Sequence, residues 1–179
     1  FRYFPAKAVG DMPASILPAG VESATEISVK TGGAAIRCVR AGGKWEIVEP
    51  SRQRADTGRI NFVIDTVARV ALHDKVTLRQ RKLRGLGLAE YGLVTPRARL
   101  TVTGPSGETE LRIGDDAPGG ECVFVMSSRS ASIFTADRIV LDILPRSAED
   151  FRDRALVPVS ANDISGIEIR QPGKGVVTL

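Results

Sequence analysis

Apolar and polar residues alternate along the first third of the chain in short runs. Ile27-Ser28-Val29-Lys30 and Ala35-Ile36-Arg37-Cys38-Val39-Arg40 each follow a period of two, which marks a half-buried strand. Thr31-Gly32-Gly33 and Ala41-Gly42-Gly43 interrupt them as turns, and Trp45-Glu46-Ile47-Val48 is a third strand that Pro50 ends. The pattern predicts a three-stranded antiparallel meander. Residues 5–22 are rich in Pro and Gly, so residues 1–22 read as an extended lead-in.

The spacing then changes. Ile60, Val63, Ile64 and Val67 recur at the interval of an amphipathic helix, with Asp56 or Thr57 as its N-cap. His73-Asp74 comes near the helix exit, and Lys75–Arg79 alternates as a strand. Leu83–Leu93 carries Gly85, Gly87 and Gly92 and reads as a loop with a short helical turn. Strands at 97–102, 110–113, 122–125 and 132–134, separated by Gly- and Pro-bearing turns, predict a second antiparallel meander. Ile139, Val140, Ile143 and Leu144 form the stripe of a helix halted by Pro145. Ser147-Ala148-Glu149-Asp150 resembles a capping box opening a short helix through Asp153-Arg154.

These elements predict an α+β fold: two antiparallel meanders, each followed by an amphipathic helix that packs on one sheet face. A shift of 140 residues aligns Leu17-Pro18 with Val157-Pro158 and Ile27–Lys30 with Ile167–Arg170, the start of a further repeat, and the two meander-plus-helix units also read as degenerate tandem copies of each other. The expected organisation is a lead-in over 1–22, an α+β domain over 23–156 and, over 157–179, the first hairpin of a truncated second repeat.

At 179 residues, with 42% hydrophobic and 26% charged residues, the chain has ordinary globular composition. No run approaches the roughly 18 apolar residues of a spanning helix. The net charge of +4 is unevenly spread. Residues 52–99 carry 11 basic and 4 acidic side chains, a net of +7, whereas residues 100–179 carry 8 and 12, a net of −4. The basic excess culminates in Arg79-Gln80-Arg81-Lys82-Leu83-Arg84, a charge pattern that attracts anionic lipid or an acidic partner. It suits nucleic acid poorly, because no aromatics are interleaved for base stacking.

No catalytic set emerges. His73 is the sole histidine, and no Ser or Cys is tied to it by a recognised triad pattern; at a helix exit it reads as a dipole-favoured cap. With Cys38 and Cys122 it makes three nitrogen and sulfur ligands at spacings that match no zinc motif. The two cysteines lie in apolar runs and read as buried free thiols. Gly85-x-Gly87 lacks the third glycine of a dinucleotide fingerprint, where Glu90 stands. Neither a cofactor nor a metal is expected. Trp45 reads as core, against the Ile60/Val63/Val67 face.

One ordered set of motifs does point to a family. Trp45-Glu46-Ile47-Val48-Glu49-Pro50 comes first, then Ala55-Asp56 opening a helix, then Tyr91-Gly92-Leu93 with Pro96. Leu111-Arg112-Ile113-Gly114 and Phe151-Arg152-Asp153-Arg154-Ala155-Leu156 complete it. From about Ile27 to Ile169 the chain resembles the bacterial domain of unknown function 4340 family. The Tyr-Gly-Leu-x-x-Pro and Leu-x-Ile-Gly pair is the most specific part. Val125-Met126-Ser127 stands where the family often has a Tyr-containing strand. The resemblance implies a membrane-anchored, extracytoplasmic protein with an N-terminal helix preceding this sequence. It also implies ABC-type transport components, like those linked to gliding motility, as neighbours, and it carries over no catalytic residue.

The leading expectation is therefore a non-enzymatic extracytoplasmic interaction module, accessory to an ABC-type transport system, with membrane transport components as protein partners. Candidate partner-binding residues are Tyr91, Gly92, Leu93 and Pro96 on one loop, and Arg79, Arg81, Lys82 and Arg84 in the basic run. The alternatives are a nucleic-acid binder using residues 79–84, and a small-molecule or hydrolytic domain with an unrecognised site.

Overall fold

The computed structural model describes residues 12–155 and the backbone of residues 168–169 and 177–178. The strands are β1 (Glu26–Thr31), β2 (Ala34–Ala41), β3 (Lys44–Glu49) and β4 (Gln53–Arg54), followed by helix α1 (Thr57–Arg69). Then come β5 (Leu72–Val76), α2 (Leu78–Leu83), β6 (Ala98–Gly104), β7 (Gly107–Asp116), β8 (Cys122–Ser127), β9 (Ile133–Asp137) and α3 (Ile139–Asp142). β10 (Glu168–Ile169) and β11 (Val177–Thr178) pair only with each other.

Among the described residues, β1 to β9 form one nine-stranded sheet in the order β4-β3-β2-β1-β6-β7-β8-β9-β5. Every pairing is antiparallel. The two expected meanders are therefore fused side by side. The seam is β1 against β6, with Ile27 opposite Val102 and Val29 opposite Leu100. Strand alternation puts Ile27, Val29, Ile36, Cys38, Trp45, Ile47, Leu100, Leu111 and Ile113 in the same core as the Ile60, Val63, Ile64 and Val67 stripe of α1. Asp56 caps that helix, its Oδ1 accepting the Arg59 amide at 2.9 Å.

The α+β class built on a large antiparallel sheet holds, and the connectivity of α1 explains why a separate helix for each meander is not found. The helix leaves β4 at one edge of the sheet and delivers the chain to β5 at the other. Its 13 residues, about 20 Å long, thus serve both meanders at once. The second meander is succeeded only by the four-residue α3, whose neighbourhood adds Val140, Ile143 and Leu144 to the same core while Ile139 stays exposed.

The opposite face carries a second, smaller core at the β8–β9–β5 end: Val76, Tyr91, Leu93, Ala117, Phe124 and Ile133. β8 and β9 are consequently buried on both sides, which is why Val123-Phe124-Val125 and Ile133-Phe134 read as continuous apolar runs rather than alternations. The segment from Thr77 to Arg97 covers this second core.

Several expectations change. The lead-in is not peripheral: Ile16, Leu17 and Val21 are buried in the main core, and Val21–Ser23 is a 3₁₀ turn. Its Pro and Gly residues prevent long regular structure, not burial. The strand expected over 75–79 ends at Val76, because Thr77 caps α2 through a reciprocal box with Gln80. His73 is no helix cap; α1 has already ended and His73 lies on β5. The Ser147–Asp150 capping box is present, but it caps a single 3₁₀ turn, Ala148–Asp150, rather than a helix to Arg154. Phe151 then plugs into the core, and its carbonyl accepts the Asp56 amide at 2.7 Å. Of the hairpin unit expected over 157–179, only the pairing of Glu168 with Thr178 and of Ile169 with Val177 lies among the described residues. Residues 1–11 of the lead-in also lie outside them.

Candidate functional site

The loop residues singled out from the sequence turn out to form a lock. Ala89–Tyr91 is a 3₁₀ turn that Gly92 terminates in the left-handed region at φ +67°. This directs Tyr91 inward, edge-on to Phe124 with ring centroids 5.0 Å apart, and buries Leu93 completely. The backbone of the turn lies directly on β7. A Cβ on Gly114 would strike the Tyr91 carbonyl oxygen and sit 3.2 Å from both the Gly92 carbonyl carbon and Leu93 Cδ2. A Cβ on Gly92 would in turn meet Asp115, 2.7 Å from its backbone nitrogen. The two glycine motifs, about 20 residues apart in sequence, are thus two halves of one contact. Of residues 91–96, Val94 and Thr95 are exposed and Pro96 half-buried, so these are what the loop presents outward.

The basic run divides as well. Residues 79–83 lie on α2, and Arg84 is its C-cap. Arg81 is turned inward, its guanidinium donating to the Ala131 carbonyl at 3.0 Å while Nε finds no partner among the described residues. Arg79, Lys82 and Arg84 face solvent together with two large apolar side chains, Leu78 and Leu83, the latter 78% exposed. The outer side of the Thr77–Arg97 segment is therefore basic and apolar at once.

A third cluster could not be seen in the spacing. His73 on β5, Cys122 at the start of β8 and Asp137 at the end of β9 come together at one end of three neighbouring strands. Cys122 and Asp137 are register partners, and the Asp137 amide donates to the Ala71 carbonyl, which brings β5 alongside. His73 Nε2 lies 2.5 Å from Asp137 Oδ1, and one ligand atom from each of the three residues falls within 4.8 Å of the others. Desolvation, with Asp137, Asp74 and Glu121 adding negative charge, raises the Cys122 thiol above its ordinary range. What signal the sequence held was local: His73-Asp74 and Glu121-Cys122, two ligand-rich dipeptides on strands whose adjacency only the sheet order supplies.

Cys38 and Cys122 are both free. They belong to β2 and β8, four strand positions apart, or about 19 Å at the usual spacing, far beyond disulfide reach. Cys38 is fully buried as expected; Cys122 is half-buried. Trp45 is core, with its indole N–H donating to Asn61 Oδ1 at 3.1 Å. A groove of about 640 Å³ opens beside it, but apart from the exposed Lys44 its charged lining is committed elsewhere. Asp56 caps α1, Arg54 holds Asp153 and the Ala155 carbonyl, and Glu46 binds Arg52. Among the described residues no helix is long and apolar enough to cross a membrane.

The fold defines a class: a single broad antiparallel sheet with one long helix on one face and a locked loop segment over part of the other. The chain belongs to the family described as Domain of unknown function (DUF4340), whose model matches residues 45–179. No curated protein and no solved structure matches it. The matched residues include the Tyr91–Gly92 and Gly114 lock, whereas the central strand β1 and its neighbour β2 precede them.

Proposed function

We propose that this chain is a non-enzymatic interaction module, working on the outer side of a bacterial membrane as an accessory of an ABC-type transport system. The observation that supports the reading is the outer side of the Thr77–Arg97 segment. There Leu78 and Leu83 are held exposed beside Arg79, Lys82 and Arg84, and Val94 is exposed further along the same segment. Large apolar side chains exposed beside positive charge suit docking onto a partner that is both apolar and acidic. Such a surface fits a partner face that is acidic with apolar recesses, here that of a membrane transport component. The lock between Gly92 and Gly114 supplies rigidity, since it fixes this segment to the sheet through backbone rather than side chains. The degenerate tandem origin belongs to the same reading, with α1 after the first meander and the short α3 after the second.

The test is affinity capture of the native full-length protein from its own cells after crosslinking, beside a Leu83→Asp/Lys82→Glu double variant. The reading expects membrane fractionation and recovery of a permease or its ATPase subunit, reduced about tenfold or more in the double variant, as for loss of an interface anchor. Recovery of nucleic acid, of lipid alone, or of soluble enzymes unaffected by the substitutions would overturn it.

A further inference from the structure

We propose that His73, Cys122 and Asp137 form a binding site for a divalent transition-metal ion of the zinc class. Imidazole nitrogen, thiolate sulfur and carboxylate oxygen together are the donor set of zinc and its neighbours; calcium and magnesium sites are built from oxygen. The site is also preorganised. The three residues stand on adjacent strands, and Cys122 and Asp137 are direct partners in the β8–β9 ladder. The sheet holds the Cβ atoms of that pair about 5 Å apart on one face before any ion arrives.

The required movement is small. Bonds of roughly 2.0–2.3 Å in tetrahedral geometry place ligand atoms about 3.3–3.8 Å from one another. The three atoms already lie within 4.8 Å, and His73 Nε2 and Asp137 Oδ1, at 2.5 Å, have to separate by about 1 Å, a side-chain rotation. Both side chains are near half exposure, 46% and 47%, so nothing packed must give way. Asp74 and Glu121 add negative charge close to the sulfur, a field that attracts a cation. Three protein ligands leave a fourth position open to solvent, where water completes the shell.

The experiment titrates the apo full chain with Zn²⁺ by calorimetry and with Co²⁺ by absorption spectroscopy, alongside His73→Ala, Cys122→Ser and Asp137→Asn. The proposal expects one ion per chain and tetrahedral cobalt bands with a thiolate-to-cobalt charge-transfer band. It also expects Cys122 to become protected from alkylation when Zn²⁺ is added. Each substitution should weaken binding by about 100-fold or more, beyond what loss of an outer-shell partner costs. Binding that survives Cys122→Ser undiminished, octahedral cobalt spectra without the sulfur band, or equal uptake of Mg²⁺ would overturn it. Alkylation protection is measured on the unmodified chain and decides the matter should a variant fail to fold. None of these readouts involves the Thr77–Arg97 surface, so the two proposals stand or fall separately.

Discussion

Substituting Gly114 by Ala adds one methyl group at the place where the Tyr91 carbonyl oxygen rests. The position is buried in β7 beside a register shift, and the nearest colliding groups are main chain, so no side chain can swing away to relieve them. The loop must lift by something of the order of 1 Å, an overpacking that costs about 1–3 kcal/mol. Lifting it also disturbs the edge-on Tyr91–Phe124 pair, which adds about 0.5–1.5 kcal/mol. Together these give a loss of about 2–4 kcal/mol, or about 5–15 °C in Tm for a chain of this size. Urea unfolding followed by the fluorescence of the single tryptophan, Trp45, measures it directly. Gly107→Ala is the internal reference: at φ +85° with no atom near a new Cβ, it carries backbone strain alone, about 1–2 kcal/mol. If Gly114→Ala proves no more destabilising than Gly107→Ala, the two glycine motifs do not lock each other and the reasoning fails.

Three other outcomes are expected. Asn61→Ala strands the buried Trp45 indole N–H and should cost about 1–3 kcal/mol, whereas Asn61→Asp, which keeps an acceptor, should cost less; equal losses in chemical melts would count against the bond. The amides of Arg146 and Ser147 donate to Asp150 at 2.8 and 3.0 Å and hold its carboxyl below the ordinary 3.8. A depressed folded-state pKa stabilises above the unfolded value, and that contribution is lost as pH falls through the folded one. Asp150→Asn should therefore cost about 0.5–1 kcal/mol at neutral pH, with the gap to the parent closing below pH 3.8; a gap independent of pH refutes the assignment. Burial pushes the Cys38 thiol up to about 12, so alkylation of the metal-free native chain should label Cys122 alone, and Cys38 only after unfolding. Early labelling of both by mass spectrometry would contradict the packing of β2.

Local periodicity made much of this fold legible. The Ile60–Val67 stripe, the Asp56 cap and the glycine turns each encode their element within a few residues. What it could not carry was long-range pairing. β1 and β6 are separated by two helices and 66 residues, and nothing in either alternation says they are neighbours. The fusion of two meanders under one helix, rather than a helix for each, depends on that pairing. α2 hid because Thr77-Leu78-Arg79 continues the alternation of β5; the cap, a polar side chain on a backbone amide, overrode it. The Tyr-Gly-Leu and Leu-x-Ile-Gly motifs were visible as residues, but their meaning is contact between backbones, which no spacing reveals. The His73–Cys122–Asp137 cluster was invisible for the same reason as the β1–β6 seam: its members are neighbours only in the order of strands.

The claim on which the functional account rests is that the outer side of the Thr77–Arg97 segment meets a membrane transport component. A photo-crosslinking amino acid placed at Leu83 in the full-length protein, in its own cells, tests it most directly. The same group at exposed Lys44, which begins β3 near the opposite sheet edge, is the reference. The account predicts a specific adduct with a permease or ATPase subunit from Leu83, absent from Lys44 and lost when Lys82 is reversed to Glu. Adducts that are the same from both positions, or that contain only nucleic acid, lipid or soluble enzymes, would contradict it.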